Sequence, residues 1–99
     1  MKLKVEAIAA LVPSVRAEIA RELVYGYKLS QQEVSGLLGV SQPAVSQYVR
    51  RLRGAAYSDD FVKKEVTVIC SKLVRGVRND LEEDIYKLCS MIVEKKHQN

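Results

Sequence analysis

Two short helical segments separated by a glycine constrain this chain more than any other feature of its sequence. Ser30 is a good N-cap, and Glu33 three positions later completes a capping box, so a helix is expected directly after Ser30. Gly39 is expected to end that helix, because glycine adopts the positive φ of a tight turn without a Cβ penalty. Ser41 then caps a second helix, and Pro43 suits its first turn. The sequence therefore predicts two consecutive short helices joined by a tight turn.

The rest of the chain also has the apolar spacing of helices. Glycine and proline are scarce, at five and two, and no segment alternates apolar and polar residues, so strands have little support. Pro13 is expected to end a first short helix or to open the next. The predicted helices span about 3–11, 14–25, 31–38 and 41–54, then 58–76 with Ser58 as cap, and a last one capped by Asn79. The predicted fold class is all-α.

Length and charge limit the organisation and location of the protein. A chain of 99 residues suffices for one compact core. Residues 1–54 hold eight Lys/Arg against four Glu, whereas residues 55–99 hold eight of each sign, so the net charge of +4 lies in the first half. We therefore expect a domain over 1–54 that has an anionic partner, and a second helical unit over 55–99. No apolar run is long enough for a bilayer and no signal peptide is evident, so a cytoplasmic protein with no membrane partner is expected.

Residues 31–50 have the pattern of a helix-turn-helix. The apolar positions spaced to face inward are Val34, Leu38, Val40, Val45 and Val49, with Tyr48 as an alternative to the last. The segment resembles the DNA-binding unit of the phage-repressor (Cro-like) family. Residues 11–54, and above all the run Ser-Gln-Pro-Ala-Val-Ser-Gln-Tyr at 41–48, are similar to small archaeal helix-turn-helix transcriptional regulators. The resemblance implies a transcriptional regulator, associated with the nucleoid, whose second helix enters a major groove of double-stranded DNA.

The outward face of that second helix supplies the candidate DNA-binding residues. Glutamine pairs with adenine and arginine with guanine, so Gln47 and Arg50 are the expected base contacts. The family resemblance implies that Gln31 contacts the DNA backbone and braces Gln42. The complete set of expected contacts is Gln31, Ser41, Gln42, Pro43, Ala44, Ser46, Gln47, Arg50, Arg51 and Arg53. Some of the three arginines are expected to bind phosphate.

The two C-terminal helices carry apolar stripes with near-heptad spacing. Together with the zero net charge of this half, these stripes predict a homodimer, which would match a palindromic operator. The expected interface residues are Val62, Val66, Ile69, Leu73, Leu81, Ile85, Leu88 and Ile92. The alternative is that both helices complete the core of the single chain.

Other chemistry has little support in the sequence. No histidine lies near a nucleophile and there is no glycine-rich phosphate loop, so an enzyme is not expected. The acids at 80–84 suit a helix N-terminus, His97 lies near the chain end, and Cys70 and Cys89 are expected to be buried thiols, so neither a metal nor a cofactor is expected. Whether a small molecule acts as effector stays open. A different class also stays open: a helix-turn-helix module that binds a protein within a larger assembly.

Overall fold

The computed structural model describes the backbone of residues 2–51, 59–77 and 80–97, and the side chains of 4–51, 59–77 and 80–95. Every regular element in these ranges is helical, which confirms the all-α expectation. The α-helices are α1 (Lys2–Arg21), α2 (Gln31–Leu38), α3 (Gln42–Arg50), α4 (Asp60–Val74) and α5 (Leu81–His97); one π-helical turn, Glu22–Gly26, follows α1.

The prediction that Pro13 separates two helices is wrong. Pro13 lies inside α1, which continues through it to Arg21. Proline removes the N–H that would bond to the carbonyl of Ala9, but both residues are on the exposed side of the helix, where water can bond to that carbonyl. Ile8 before the proline and Val15 after it pack into the same core, so burial on both sides of Pro13 offsets the cost of the missing bond.

The end of α1 changes the direction of the chain before α2. The helix widens into the π turn, where the N–H of Tyr27 donates to the carbonyl of Glu22 over 3.1 Å. Lys28 then has a positive φ of 61°, and the N–H of Leu29 donates back to the carbonyl of Leu23 over 3.1 Å. This reversal places α2 beside the end of α1 and leaves the Lys28 side chain exposed next to it.

The caps predicted for α2 and α3 are confirmed. Ser30 Oγ accepts from the N–H of Glu33 over 3.0 Å, and the Glu33 carboxylate accepts from the N–H of Ser30 over 2.8 Å, which completes the capping box. Ser41 Oγ accepts from the N–H of Ala44 over 3.2 Å. The helix α3 is shorter than the expected range of 41–54, and ends at Arg50.

The helix α4 ends at a glycine, as predicted. Gly76 has a φ of 73°, its N–H donates to the carbonyl of Leu73, and the N–H of Val77 donates to that of Lys72, so the last carbonyls are paired in a Schellman arrangement. The two caps expected at Ser58 and Asn79 lie outside the described residues. Asp80 Oδ1 accepts from the N–H of Glu83 over 3.3 Å and so supplies a cap for α5.

One hydrophobic cluster joins all five helices. Buried side chains from both predicted ranges, 1–54 and 55–99, contribute to it: Val15 and Ile19 of α1 meet Val66 of α4 and Ile85 of α5. The helix α1 packs against α5, α3 and α4, and is therefore central. No helix in the described ranges is both long and apolar enough to cross a membrane.

The side chains expected at a dimer interface lie instead in the core of the single chain. Two of them, Leu73 and Leu81, are partly buried and pack against the core cluster. The other six are at most 6% exposed: Val62, Val66, Ile69, Ile85, Leu88 and Ile92. A heptad-like stripe shows only that one face of a helix is covered, and here α1 covers it. A dimer interface built from α4 and α5 would therefore have to use other surfaces of these two helices.

Candidate nucleic-acid interface

The helices α2 and α3 are held as one unit by a glycine turn and shared core residues. Gly39 has a φ of 67°, and the carbonyl of Ser35 accepts from the N–H groups of both Gly39 and Val40, over 2.9 and 3.1 Å. Val34 of α2 and Val45 of α3 are each 0% exposed in the common core. Because both helices are capped at their starts and buried on facing sides, their relative orientation is closely defined.

The burial of α3 on one side determines which of its side chains face solvent. Val45 and Val49 are buried, at 0% and 5% exposure, as expected from the sequence. The exposed members of the predicted set are Ser41, Gln42, Pro43, Gln47, Arg50 and Arg51; Gln31, Ala44 and Ser46 are half-buried. Arg53 lies outside the described residues. The exposed face thus presents amides, a hydroxyl and guanidinium groups, which are donors and acceptors suited to base edges and phosphates.

Gln31 is brought to the start of α3, although eleven positions separate it from Gln42. The side chains of Gln31, Gln42, Pro43 and Ser46 line one shallow, open depression on the surface. The expected support of Gln42 by Gln31 stays a prediction, and the two residues share this depression. Ser41 has a structural task as well, because its hydroxyl oxygen already accepts the capping hydrogen bond from Ala44.

Positive charge is concentrated at the C-terminal end of α3. Arg50 and Arg51 are consecutive and exposed, and the C-terminal end of a helix carries partial negative charge that favours cations. Lys28 adds a third exposed cation beside the N-terminus of α2. An anionic partner of α3 would meet Arg50 and Arg51 at the C-terminal end of the helix and the amides of Gln42 and Gln47 along it.

Sequence reasoning missed Arg21, the last residue of α1. Its Nη1 donates to the carbonyl oxygen of Val49 and lies 3.4 Å from that of Arg51, so it bridges α1 to the end of α3. The guanidinium also lies over the ring of Tyr25, with Cζ 5.5 Å from the ring centroid. No local pattern predicts such a contact, because its partners are 28 and 30 positions away.

The two cysteines are buried and carry protonated thiols. Burial raises the pKa of the Cys70 thiol to about 12 and that of Cys89 to about 11, and the thiol of Cys70 lies 3.6 Å from the carbonyl oxygen of Ile19. A buried, protonated thiol is a poor nucleophile and a poor metal ligand. In the part of the chain that the structure describes, no three histidine, cysteine or acidic side chains lie together as a metal site.

Comparison with protein-family models, curated proteins and solved structures found no match for this chain.

Proposed function

We propose that the protein is a sequence-specific double-stranded DNA-binding regulator of transcription, and that it acts by binding rather than by catalysis. One observation carries this proposal. The helix α3 is buried through Val45 and Val49 and exposes Gln42, Gln47 and Arg50, whose side chains are of the types that form two hydrogen bonds with a base edge. The N-terminal half of the chain, which contains α3, carries the whole net charge of +4.

Each exposed group of α3 has a role in the proposed complex. In a major groove, Gln47 would pair with adenine and Arg50 with the O6 and N7 atoms of guanine. Pro43 and Ala44 offer small apolar groups for a thymine methyl. Arg51 would bind phosphate, which sets the position of the helix on the duplex without selecting its sequence.

The proposed relationship is to small archaeal helix-turn-helix regulators, and the proposed location is the cytoplasm, on the nucleoid. Three features support the helix-turn-helix on which this proposal rests: the capping box of α2, the left-handed Gly39 turn and the Ser41 cap of α3. These features connect two helices at a fixed angle, which is the physical requirement of a helix-turn-helix.

The proposed regulator acts as a homodimer, because two linked recognition helices bind two half-sites with a high effective concentration. The second copy would contact the outer face of the α4–α5 pair, since the inner stripe is covered by α1. Val68 and Met91 lie together at the centre of this outer face, at 45% and 41% exposure. Charges of both signs surround them, including Lys72 and Asp84 with 3.9 Å between Nζ and Oδ2. A mixed and nearly neutral rim allows two identical faces to approach without net repulsion.

The same outer face favours a second candidate function, a module that binds a different protein within an assembly. Exposed apolar side chains of this kind are what a protein partner covers. The two functions make different demands on α3, because a protein-binding module that uses α4 and α5 has no need of Arg50.

Fluorescence anisotropy with a labelled duplex tests the proposal. The duplex is the DNA upstream of the protein's own coding sequence, with a scrambled duplex as reference, titrated from about 50 to 200 mM salt. We expect the upstream duplex to stay bound as the salt concentration rises while the scrambled duplex dissociates. If neither binds at low salt, protein binding becomes the better assignment; if both bind equally, the operator is selected from random DNA.

Arg50→Ala identifies the helix responsible, and Arg75→Ala is its matched control. Both arginines are exposed, but Arg75 lies at the end of α4, outside the proposed interface. Loss of a bidentate contact to guanine should reduce the discrimination between matched and altered duplexes by about 1–3 kcal/mol. Arg75→Ala should leave that discrimination unchanged. Equal effects of the two substitutions would mean that only overall charge matters.

A further inference from the structure

The end of α3 is closed differently from the ends of α2 and α4. Those two helices are followed by the left-handed glycines Gly39 and Gly76, which pair the last carbonyls locally. The residue that caps α3 is Arg51, which is extended, with φ −70° and ψ 140°. Its N–H donates to the carbonyl of Tyr48, and the remaining terminal carbonyls need partners from elsewhere.

Arg21, at the end of α1, supplies a donor for one of these carbonyls and for that of the cap residue. Its Nη1 bonds to the carbonyl of Val49 and lies 3.4 Å from that of Arg51, so the two acceptors are on either side of Arg50. The guanidinium is partly enclosed: the Tyr25 ring lies over one face, with 5.5 Å between Cζ and the ring centroid, and Nε is buried. A cation at this position also interacts favourably with the negative end of the α3 dipole.

We propose that Arg21 is a positioning residue that sets the direction of the Arg50 side chain for DNA recognition. The two peptide units that flank Arg50 determine the orientation of its Cα–Cβ bond. Arg21 bonds to the carbonyl of Val49, which belongs to the peptide unit before Arg50, and to the carbonyl of Arg51, which follows the peptide unit after Arg50. In this role Nη1 of Arg21 donates to the backbone at the end of α3, and Arg21 contacts no base. This role rests on the proposed DNA-binding function, because it acts through a DNA contact of Arg50.

A double-mutant cycle tests whether Arg21 acts through Arg50. Arg21→Met retains the apolar stem and removes the donors, and the probe is the 30-base-pair duplex of highest affinity selected from random DNA, compared with a version altered at one base pair. We expect Arg21→Met to reduce the discrimination between the two duplexes by about tenfold, as the loss of one good base contact would. In the Arg50→Ala background, Arg21→Met should cause no further loss of discrimination.

Arg16→Met is the matched control for a general loss of stability. Arg16 is also an α1 arginine whose guanidinium binds another helix, through two hydrogen bonds to the carboxylate of Glu82 in α5. Its removal weakens the attachment of α1 to α5 and leaves the hydrogen bonds from Arg21 to Val49 and Arg51 in place, so discrimination should stay within about twofold of the parent chain.

A conservative variant, Arg21→Lys, keeps the positive charge but has a single ammonium nitrogen as donor. It should restore only part of the discrimination.

Amide hydrogen exchange without DNA separates failure of this role from failure of the proposed function. In Arg21→Met, the amides of Val49, Arg50 and Arg51 should exchange about tenfold faster than in Arg16→Met, because the last turn of α3 loses its anchor. Unchanged exchange in Arg21→Met would show that Arg21 does not anchor the last turn of α3. Additive losses of discrimination in the double variant would show that Arg21 does not act through Arg50, and either result overturns the proposal. An additive loss of affinity with a lower salt slope would show that Arg21 binds phosphate itself, which also overturns the proposal. If the parent chain binds no duplex while these amides still exchange faster, the DNA-binding function fails and the anchor remains.

Discussion

Two glycines, Gly36 and Gly39, lie three residues apart and differ in backbone conformation, because Gly36 is helical and Gly39 is left-handed. Gly36 is inside α2 with nothing within 4 Å of the position a Cβ would occupy. Gly39 has the same free space but a φ of 67°, a conformation in which a Cβ contacts the adjacent backbone. The same substitution should therefore have effects of opposite sign at the two positions.

Gly36→Ala should raise the free energy of unfolding by about 0.5–1 kcal/mol, because alanine loses less backbone entropy in a helix. Gly39→Ala should lower it by about 1–2 kcal/mol, because the left-handed conformation strains an alanine. Urea denaturation followed by circular dichroism measures both. Two stabilising substitutions would show that the turn at residue 39 does not require a positive φ.

The buried thiols should make stability depend on alkaline pH. The folded chain keeps Cys70 and Cys89 protonated up to pKa values of about 12 and about 11, whereas the unfolded thiols ionise at their ordinary pKa of 9.0. Above pH 9 the folded state therefore binds more protons than the unfolded state, so the free energy of unfolding falls as the pH rises towards 11. The slope contributed by each thiol has an upper limit of about 1.4 kcal/mol per pH unit.

Denaturation by urea at a series of pH values from neutral to alkaline measures this slope. The variant with alanine at both Cys70 and Cys89 should start less stable, because it loses buried volume, and should have a smaller slope above pH 9. An equal slope in the parent chain and this variant would assign the pH dependence to other groups. The native thiols should also react slowly with a thiol reagent at neutral pH.

At the scale of helices, Pro13 is the clearest case of packing overriding a local preference. It costs α1 one hydrogen bond, yet the helix persists because its core face is continuous on both sides of the proline. Pro43 is placed where a proline is tolerated, in the first turn of α3. The two prolines are exposed, so neither substitution by alanine disturbs the core.

Pro13→Ala should raise the free energy of unfolding by about 1–3 kcal/mol, because it restores the missing hydrogen bond and removes the clash of the ring. Pro43→Ala should change it by less than about 1 kcal/mol, since the first turn needs no N–H at that position and the unfolded chain gains freedom. Differential scanning calorimetry compares the two. A destabilised Pro13→Ala variant would mean that α1 depends on the bend introduced by the proline.

The caps of α2 and α3 and the glycine turns could be predicted from the sequence, and the partners of the helix faces could not. The Ser30 box, the Ser41 cap and the turns at Gly39 and Gly76 depend on residues three to six positions apart, so the printed sequence contains all the participants. The exposed and buried sides of α3 followed from the same short-range spacing. The apolar stripes of α4 and α5 are equally compatible with α1 and with a second chain as partner, and in the single chain α1 covers them. Arg21 was missed for the same reason, because its acceptors belong to another helix.

For the whole molecule, the central position of α1 connects the proposed DNA-binding helix to the C-terminal helices. Arg16 binds Glu82 of α5, and this hydrogen bond, with burial opposing it, raises the pKa of the arginine. Lys4 pairs with Glu94 further along α5, but both side chains are exposed, so this pair adds little stability. The connection of α1 to α5 therefore depends mainly on buried apolar side chains such as Ile19 and Ile85.

The proposed dimer can be tested at the outer face of α4 and α5 without damage to the core. Val68 and Val74 are both exposed valines of α4, at 45% and 42%, but they lie about 120° apart around the helix. Val68 faces Met91 of α5, whereas Val74 borders a groove formed with Leu29 and Leu37. Aspartate at either position meets solvent in the single chain, so neither substitution should unfold it.

Analytical ultracentrifugation at tens of micromolar should show a dimer for the parent chain and for Val74→Asp, and a monomer for Val68→Asp, because a second copy would bury the new charge. Val68→Asp should also lose most of the affinity for a duplex with two half-sites about 34 Å apart, while its affinity for a single half-site stays close to that of the parent. A parent chain that sediments as a monomer would contradict the homodimer. A dimer that survives Val68→Asp and dissociates with Val74→Asp would move the interface to the groove beside α2, and with it the relative direction of the two recognition helices.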